Sequence, residues 1–255
     1  MRSARSKYFT ASKKAYYSVF FILPFLIAYE VGLFQGALGG QVNGADAILR
    51  MLFYFLNSFF GSLIAQIVLG VVIAALILYL AYSFVKDRER IRLRYILYML
   101  IESAILGFIV GTVIHLLLNH RFPRFFTLNP NSGVVGQLAV IGLNTPWSKI
   151  VASIGAGVFE ELVFRVITIR LLYMFFKGSM YRVFGSDKSA VVKAVLLSSV
   201  IFSLMHLTSV GNLFGLVSIF FGSIIFSAIY LKRGYGIVAA THIFYDVYLM
   251  FGILA

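Results

Sequence analysis

The sequence consists largely of long apolar runs separated by short segments that carry most of the charge. A helix that crosses a membrane needs about 20 mostly apolar residues, because the hydrocarbon core of a bilayer is about 30 Å thick. The runs lack a strict alternation of polar and apolar residues, which favours helices over the strands of a membrane barrel. We therefore predict an all-α, polytopic transmembrane helix bundle of about seven spans (six to eight). The predicted spans lie near 16–34, 60–84, 95–118, 149–176, 190–205, 213–231 and 236–254.

The composition excludes several other classes of protein. Of the 255 residues, 61% are hydrophobic and 12% are charged, whereas soluble domains contain about 45–50% apolar and about 25% charged residues. The chain has no cysteine, so disulfides, thiol catalysis and Cys-ligated metal sites are excluded.

Positive charges are concentrated in alternate connections between the predicted spans. The formal net charge is +13, and Lys and Arg cluster before the first span and after the second, fourth and sixth. Such clusters mark the cytoplasmic loops of membrane proteins, so we expect membrane lipids, and not nucleic acid, as their partners. The alternation predicts a multi-pass protein of the cell membrane with its N-terminus in the cytoplasm and its C-terminus outside. The sequence does not indicate an oligomeric state.

A proline-containing connection divides the chain. The segment 120–147 contains Pro123, Pro130 and Pro146, and it is the best joint between two groups of spans. We predict an N-terminal part, 1–148, with about three transmembrane helices and an outer loop. The C-terminal part, 149–255, would then be a catalytic portion of four helices.

Charged and titratable groups inside predicted spans are costly in lipid and are therefore candidates for function. Most of them lie in the last part of the chain: Glu160, Glu161, Arg165, His206, His242 and Asp246. Four-residue spacing puts two side chains on one helix face, so Glu161 can pair with Arg165, and Asp246 can orient His242. Glu160 is rotated by about 100° from its neighbour, so it faces elsewhere and could act as a general base. Gly155 and Gly157 allow a second helix to approach closely just before these carboxylates.

The expected depths of these groups set a condition on a common site. At about 1.5 Å per residue, Glu160 and His242 lie on the order of 10 Å from the inner surface, whereas His206 lies roughly 17–20 Å deep. A tilted helix, or an irregular helix end near His206, is required to bring all of them together.

Three short motifs on successive spans resemble those of a known family. They are Glu160-Glu161-Leu-Val-Phe-Arg165, Phe202-Ser-Leu-Met-His206 and His242-Ile-Phe-Tyr-Asp246. Together they resemble the CPBP group, which comprises CAAX prenyl endopeptidases of the second type and bacteriocin-processing or self-immunity proteins, also called Abi. The resemblance covers about 149–255. Asp246 stands where the prenyl endopeptidases typically have Asn, whereas bacterial members vary at this position.

The resemblance implies an intramembrane endopeptidase that hydrolyses a peptide bond of a membrane-associated or lipidated substrate. In such an enzyme Glu160 activates a water molecule with help from His206. His242 and Asp246 stabilise the oxyanion, and Glu161 and Arg165 hold the site together. No cofactor is required for this glutamate chemistry, which we favour because the H-E-x-x-H signature of zinc proteases is absent. If zinc were used, its ligands would be His206, His242 and Glu160.

Two other functions are compatible with the same residues. The chain could be a non-catalytic membrane scaffold or an immunity-type protein that retains the protease fold, and it should then tolerate Glu160→Gln. It could also be a proton-coupled transporter with a relay of Glu160, His206 and His242, which needs a polar pathway open to both faces. The Glu161–Arg165 pair could be purely structural. Glu30 and Glu102, also within predicted spans, are expected to be paired or to reach the interface.

Overall fold

The computed structural model describes residues 4–87, 91–121, 145–177, 187–207 and 213–254. Within these ranges the chain is helical and contains no strand, which confirms the predicted all-α class. The helices, in chain order, are α1 (Ala4–Ala11), α2 (Ala15–Phe34), α3 (Gly44–Asp87), α4 (Leu93–Arg121), α5 (Pro146–Gly155), a π-helix (Ala156–Thr168), α6 (Ile169–Lys177), α7 (Lys188–Met205), α8 (Leu213–Arg233) and α9 (Tyr235–Met250). Most of the predicted joint, 120–147, lies outside the described residues.

Among the described residues, five helices are long and apolar enough to cross a membrane, namely α2, α3, α4, α7 and α8. These helices agree with a multi-pass transmembrane bundle. The two other predicted spans are also helical. The span near 149–176 is a continuous run of α5, the π-helix and α6. The span near 236–254 is shorter than predicted, because α9 has 16 residues and ends at Met250.

The long helix α3 is kinked at Gly61. This residue has φ 82° and ψ 161°, a backbone conformation that is essentially restricted to glycine. Before the kink, Ala45 and Asp46 are buried against the bundle. After it, every residue from 66 to 79 is exposed at the surface of the protein.

Helix α9 lies at the centre of the bundle, and residues 236–243 are all buried. It packs against α2, α4 and the π-helix. Glycines make this contact possible. A Cβ added at Gly107 of α4 would lie 2.9 Å from the Thr241 carbonyl oxygen, and one added at Gly157 would lie 2.6 Å from that of Ala239. The predicted close approach at Gly157 is therefore confirmed.

The charged residues expected to be paired in the N-terminal spans do have partners. Glu102 of α4 accepts hydrogen bonds from Arg233 at the end of α8 and from Tyr8 of α1. Glu30 of α2 lies 3.3 Å from Arg50 of α3. The contact of Glu102 with Arg233 joins the two parts of the chain, and all of these contacts lower the cost of placing charge near lipid.

Candidate active site

The two candidate glutamates lie on a π-helix, where the sequence predicted an α-helix. Segments with i→i+5 hydrogen bonding are rare and often occur at functional sites. Side chains of neighbouring helices bind the carbonyl groups of this segment. The Tyr235 hydroxyl donates to the Val158 oxygen (3.0 Å) and the Ser198 hydroxyl donates to the Phe164 oxygen (2.8 Å). Because these donors belong to other helices, the local sequence did not reveal the change of helix type.

Glu161 is fully buried and has two partners. Its Oε2 lies 3.1 Å from Arg165 Nε, and both side chains are 0% exposed, which confirms the predicted pairing on one face. Its Oε1 lies 2.8 Å from Nδ1 of His242 on α9. The contact with His242 was not predicted, because spacing along one helix says nothing about partners on another helix.

His242 is held on three sides. Besides the contact with Glu161, its ring stacks on Phe226 of α8, with ring centroids 4.7 Å apart and planes inclined by 23°. Its Nε2 lies 3.7 Å from Asp246 Oδ2, which is too long for a hydrogen bond. Asp246 therefore lies near the imidazole as predicted, but Glu161 is the group that fixes its orientation.

Glu160 points away from this pair, as its rotation on the helix predicted. Its side chain is 12% exposed, and its Oε2 lies 3.9 Å from His206 Nε2. Its Oε1 accepts a hydrogen bond of 2.9 Å from the side-chain amide of Asn43. Glu160 and His206 thus form one side of the site, and Glu161 and His242 form the other.

The position of His206 follows from the end of its helix. Helix α7 ends at Met205, and His206 has φ −98° and ψ 6°, so the chain leaves the helix at this residue. This is the irregular end that the depth argument required. The Nδ1 of His206 lies 2.8 Å from the Phe202 carbonyl oxygen. Because a carbonyl can only accept, Nδ1 carries a hydrogen, and Nε2 is the ring nitrogen that faces Glu160.

Arg165 has the largest of the buried charged side chains in the site. Its guanidinium carbon lies 4.5 Å from the ring centroid of Phe202, so a cation–π contact adds to the attraction of Glu161. Its two Nη atoms have no hydrogen-bond partner among the described residues. Glu161 and the ring of Phe202 are therefore the groups that stabilise the buried charge of Arg165.

The two pairs do not form a metal-binding cluster. The part of the chain that the structure describes contains no group of three or more His, Asp or Glu side chains arranged to hold a metal ion. His206, His242 and Glu160, the ligands named for the zinc alternative, are thus not brought together as one ligand set in this conformation.

Comparison with known proteins shows that the C-terminal part of the chain is similar to a known family. Residues 142–248 match the type II CAAX prenyl endopeptidase Rce1-like family. These residues resemble this family. The predicted resemblance to the CPBP group is confirmed, and this Rce1-like region supports the fold of a CAAX-type intramembrane protease. It contains all six candidate residues.

A curated relative that matches part of the chain is named for a different activity. The glycerol-3-phosphate acyltransferase of Nitrosomonas europaea is 28% identical over 106 residues, which are 41% of this chain and 52% of the relative. The chain thus matches about half the length of this relative. No solved structure is similar to the chain.

The Rce1-like region does not build the site by itself. Asn43, which binds Glu160, lies outside it, just before α3. Its Oδ1 also accepts a hydrogen bond of 2.9 Å from the backbone N–H of Ala45, so Asn43 caps the first turn of α3. An Asn before a helix is a recognisable cap signal, but its contact with Glu160 depends on the tertiary fold. Gly155 leaves the room for this contact, since a Cβ there would meet Tyr29 and Asn43.

Proposed function

We propose that this protein is an intramembrane endopeptidase that hydrolyses a peptide bond of a membrane-associated or lipidated substrate. The observation that carries the proposal is the placement of Glu160 within the Rce1-like region. One of its oxygens is bound by Asn43, and the other faces Nε2 of His206 across 3.9 Å. The glutamate is partly exposed, so water and substrate can reach it.

The space between Glu160 and His206 suits a nucleophilic water. A water within hydrogen-bond distance of both atoms donates one hydrogen to Glu160 Oε2 and the other to His206 Nε2, which directs its lone pairs toward a substrate carbonyl. Glu160 takes a proton from the water as its oxygen bonds to the carbonyl carbon. The carbon–nitrogen bond then breaks, and the departing amine receives the proton. The products are a carboxylic acid and an amine.

His242 and Asp246 would stabilise the negative oxygen of the tetrahedral intermediate. The Nδ1–H of His242 donates a hydrogen bond to Glu161. Donation from Nε2 to the oxyanion therefore requires the doubly protonated ring. The carboxylates of Glu161 and Asp246 lie on either side of this ring and favour its cation. A protonated Asp246 is the alternative donor. Donors aimed at a developing oxyanion are a major source of catalysis in acyl-transfer enzymes.

Cleavage that depends on Glu160 is the direct test. Membranes from cells that produce the wild-type protein or Glu160→Gln are compared by mass spectrometry of newly formed peptide termini, which requires no prior choice of substrate. Peptides that span the cleaved sites are then assayed with the purified protein, with and without a lipid anchor. We expect Glu160→Gln and His206→Ala each to lose at least about 10²-fold in activity, as is typical for the loss of an acid–base group.

Two matched variants control for the substitutions themselves. Asp187→Asn changes a carboxylate to an amide at the exposed cap of α7, where Asn also caps well. His115→Ala removes an exposed histidine of α4, which belongs to neither pair of the site. Both should cleave like the wild type. Equal cleavage by Glu160→Gln and wild type would refute the proposal, and it is the result expected if the protein is a scaffold or a transporter. A parallel assay with a chelator decides whether a metal takes part.

A further inference from the structure

We infer that Asn43, outside the Rce1-like region, is a positioning residue that orients Glu160 for its role as base. The inference rests on the proposed function, since it requires Glu160 to activate the water. It makes the N-terminal part of the chain a component of the active site, through the hydrogen bond from Asn43 Nδ2 to Glu160 Oε1.

The orientation of the Asn43 amide is fixed by its two partners. A backbone N–H can only donate, so the atom that faces the N–H of Ala45 at 2.9 Å is the oxygen of the side chain. The NH₂ group therefore points the other way, toward Glu160, and the usual ambiguity between the oxygen and nitrogen of an Asn side chain does not arise.

The backbone of Asn43 is held as firmly as its side chain. Its N–H donates to the hydroxyl of Tyr29 (3.0 Å), which in turn donates to Asp46 Oδ2 (3.0 Å). Arg50 Nε donates to the other oxygen of Asp46 (2.8 Å). The ring of Tyr29 is fully buried and packs on Phe159, with centroids 5.2 Å apart. Asn43 therefore cannot turn away from the π-helix without breaking a buried network.

This arrangement has a definite consequence for Glu160. The NH₂ group only donates, so it binds the ionised carboxylate better than the protonated one. Because Oε1 is occupied, Oε2 is the oxygen left to face His206 and the water. The network cannot pass protons to Glu160, since the NH₂ group of an Asn side chain donates a hydrogen bond but does not release its proton. Its function is to place a charged oxygen, and it is not a proton path.

Two substitutions separate this role from helix capping. Asn43→Ser and Asn43→Asp both keep a good N-cap for α3, so both should keep the helix content of the wild type in circular dichroism. Asn43→Ser removes the donor to Glu160, and we expect about a 10- to 100-fold lower kcat with unchanged KM, the range for a hydrogen bond to a charged group. Asn43→Asp puts a second carboxylate against Glu160, so activity should be recovered only at higher pH.

The shift of the pH profile can be attributed to position 43 because the other charges stay the same. The titratable and charged groups around Glu160 are His206 at the end of α7, Glu161 and Arg165 on the same helix, and His242 and Asp246 on α9. None of them is changed in either variant.

The experiment uses the whole chain and a peptide that the wild-type protein cleaves. If wild type and Glu160→Gln cleave it equally, the proposed function fails. If cleavage depends on Glu160 but both Asn43 variants keep the wild-type kcat and pH profile, this inference alone fails. If the Asn43 variants do not fold, Tyr29→Phe removes only the hydroxyl that holds the Asn43 backbone. It should lower kcat by about 3- to 10-fold, and a wild-type kcat would overturn the inference.

Discussion

Two apolar helical segments of this protein have opposite environments. Residues 236–243 of α9 are all buried, whereas residues 66–79 of α3 are all exposed. The exposed segment belongs to the helix with the highest mean hydropathy of the five candidate spans, 2.8. A soluble protein would bury such a segment, but lipid tails are as apolar as the side chains, so exposure to lipid costs little.

Packing in this protein is therefore decided by small and polar residues, and not by hydropathy. The buried segment of α9 contains Gly236, Ala239 and Ala240, which admit neighbouring helices, and it carries His242 into the site. The exposed segment of α3 is rich in Leu, Ile and Val and carries no charged group. The difference indicates where substitutions should have consequences.

The largest expected effect is at the buried ion pair. Arg165→Met leaves Glu161 without its cation in a fully buried position, and loss of one partner of such a pair typically costs about 3–5 kcal/mol. Lys14→Met breaks the pair of Lys14 with Asp87, which ties the end of α3 to the bundle at 3.0 Å with both side chains partly exposed. It should cost at most about 1 kcal/mol.

Unfolding of the two variants in detergent, followed by circular dichroism, measures this difference. Equal losses of stability in the two variants would contradict the expectation that the buried pair Glu161–Arg165 matters more for stability than the partly exposed pair Lys14–Asp87.

The next largest effect is expected at glycines. A Cβ at Gly157 would lie 2.8 Å from the backbone nitrogen of Ile243, whereas one at Gly70 would meet nothing within 4 Å. Gly157→Ala should cost about 1–3 kcal/mol, the usual range for overpacking, and should lower cleavage, since Glu160 is on the same π-helix. Gly70→Ala should be neutral or slightly stabilising, because Ala favours a helix. Thermal unfolding and cleavage assays of both variants test this, and loss of stability in Gly70→Ala would show that α3 is packed after all.

The features that could be predicted from the sequence are those that depend on the spacing of residues along the chain. Long apolar runs predicted the helical class, and four-residue spacing predicted the contact between Glu161 and Arg165. Adjacent positions on one helix also predicted that Glu160 faces other neighbours than Glu161 does. These inferences needed only helical geometry and the cost of charge in lipid.

Features that depend on contacts between helices were not predictable in this way. The partner of His242 is Glu161, 81 residues away in the chain, and the partner of Glu160 is Asn43, 117 residues away. The π-helix is accompanied by hydrogen bonds from Tyr235 and Ser198, which other helices supply. A cap signal at Asn43 was readable, but its second bond required the tertiary structure.

The smallest expected difference is between two glycines with the same backbone conformation. Gly234, just before α9, has φ 84° and ψ 178°, and Gly61 of α3 has φ 82° and ψ 161°. An alanine in this region is strained by about 1–3 kcal/mol if the backbone cannot adjust. Gly234→Ala should show this cost, because α9 is packed on several sides. Gly61→Ala should cost less, because the exposed segment after the kink can change its angle in lipid. The free energy of unfolding of the two variants is the measurement, and an equal cost would mean that the kink of α3 is held as rigidly as the start of α9.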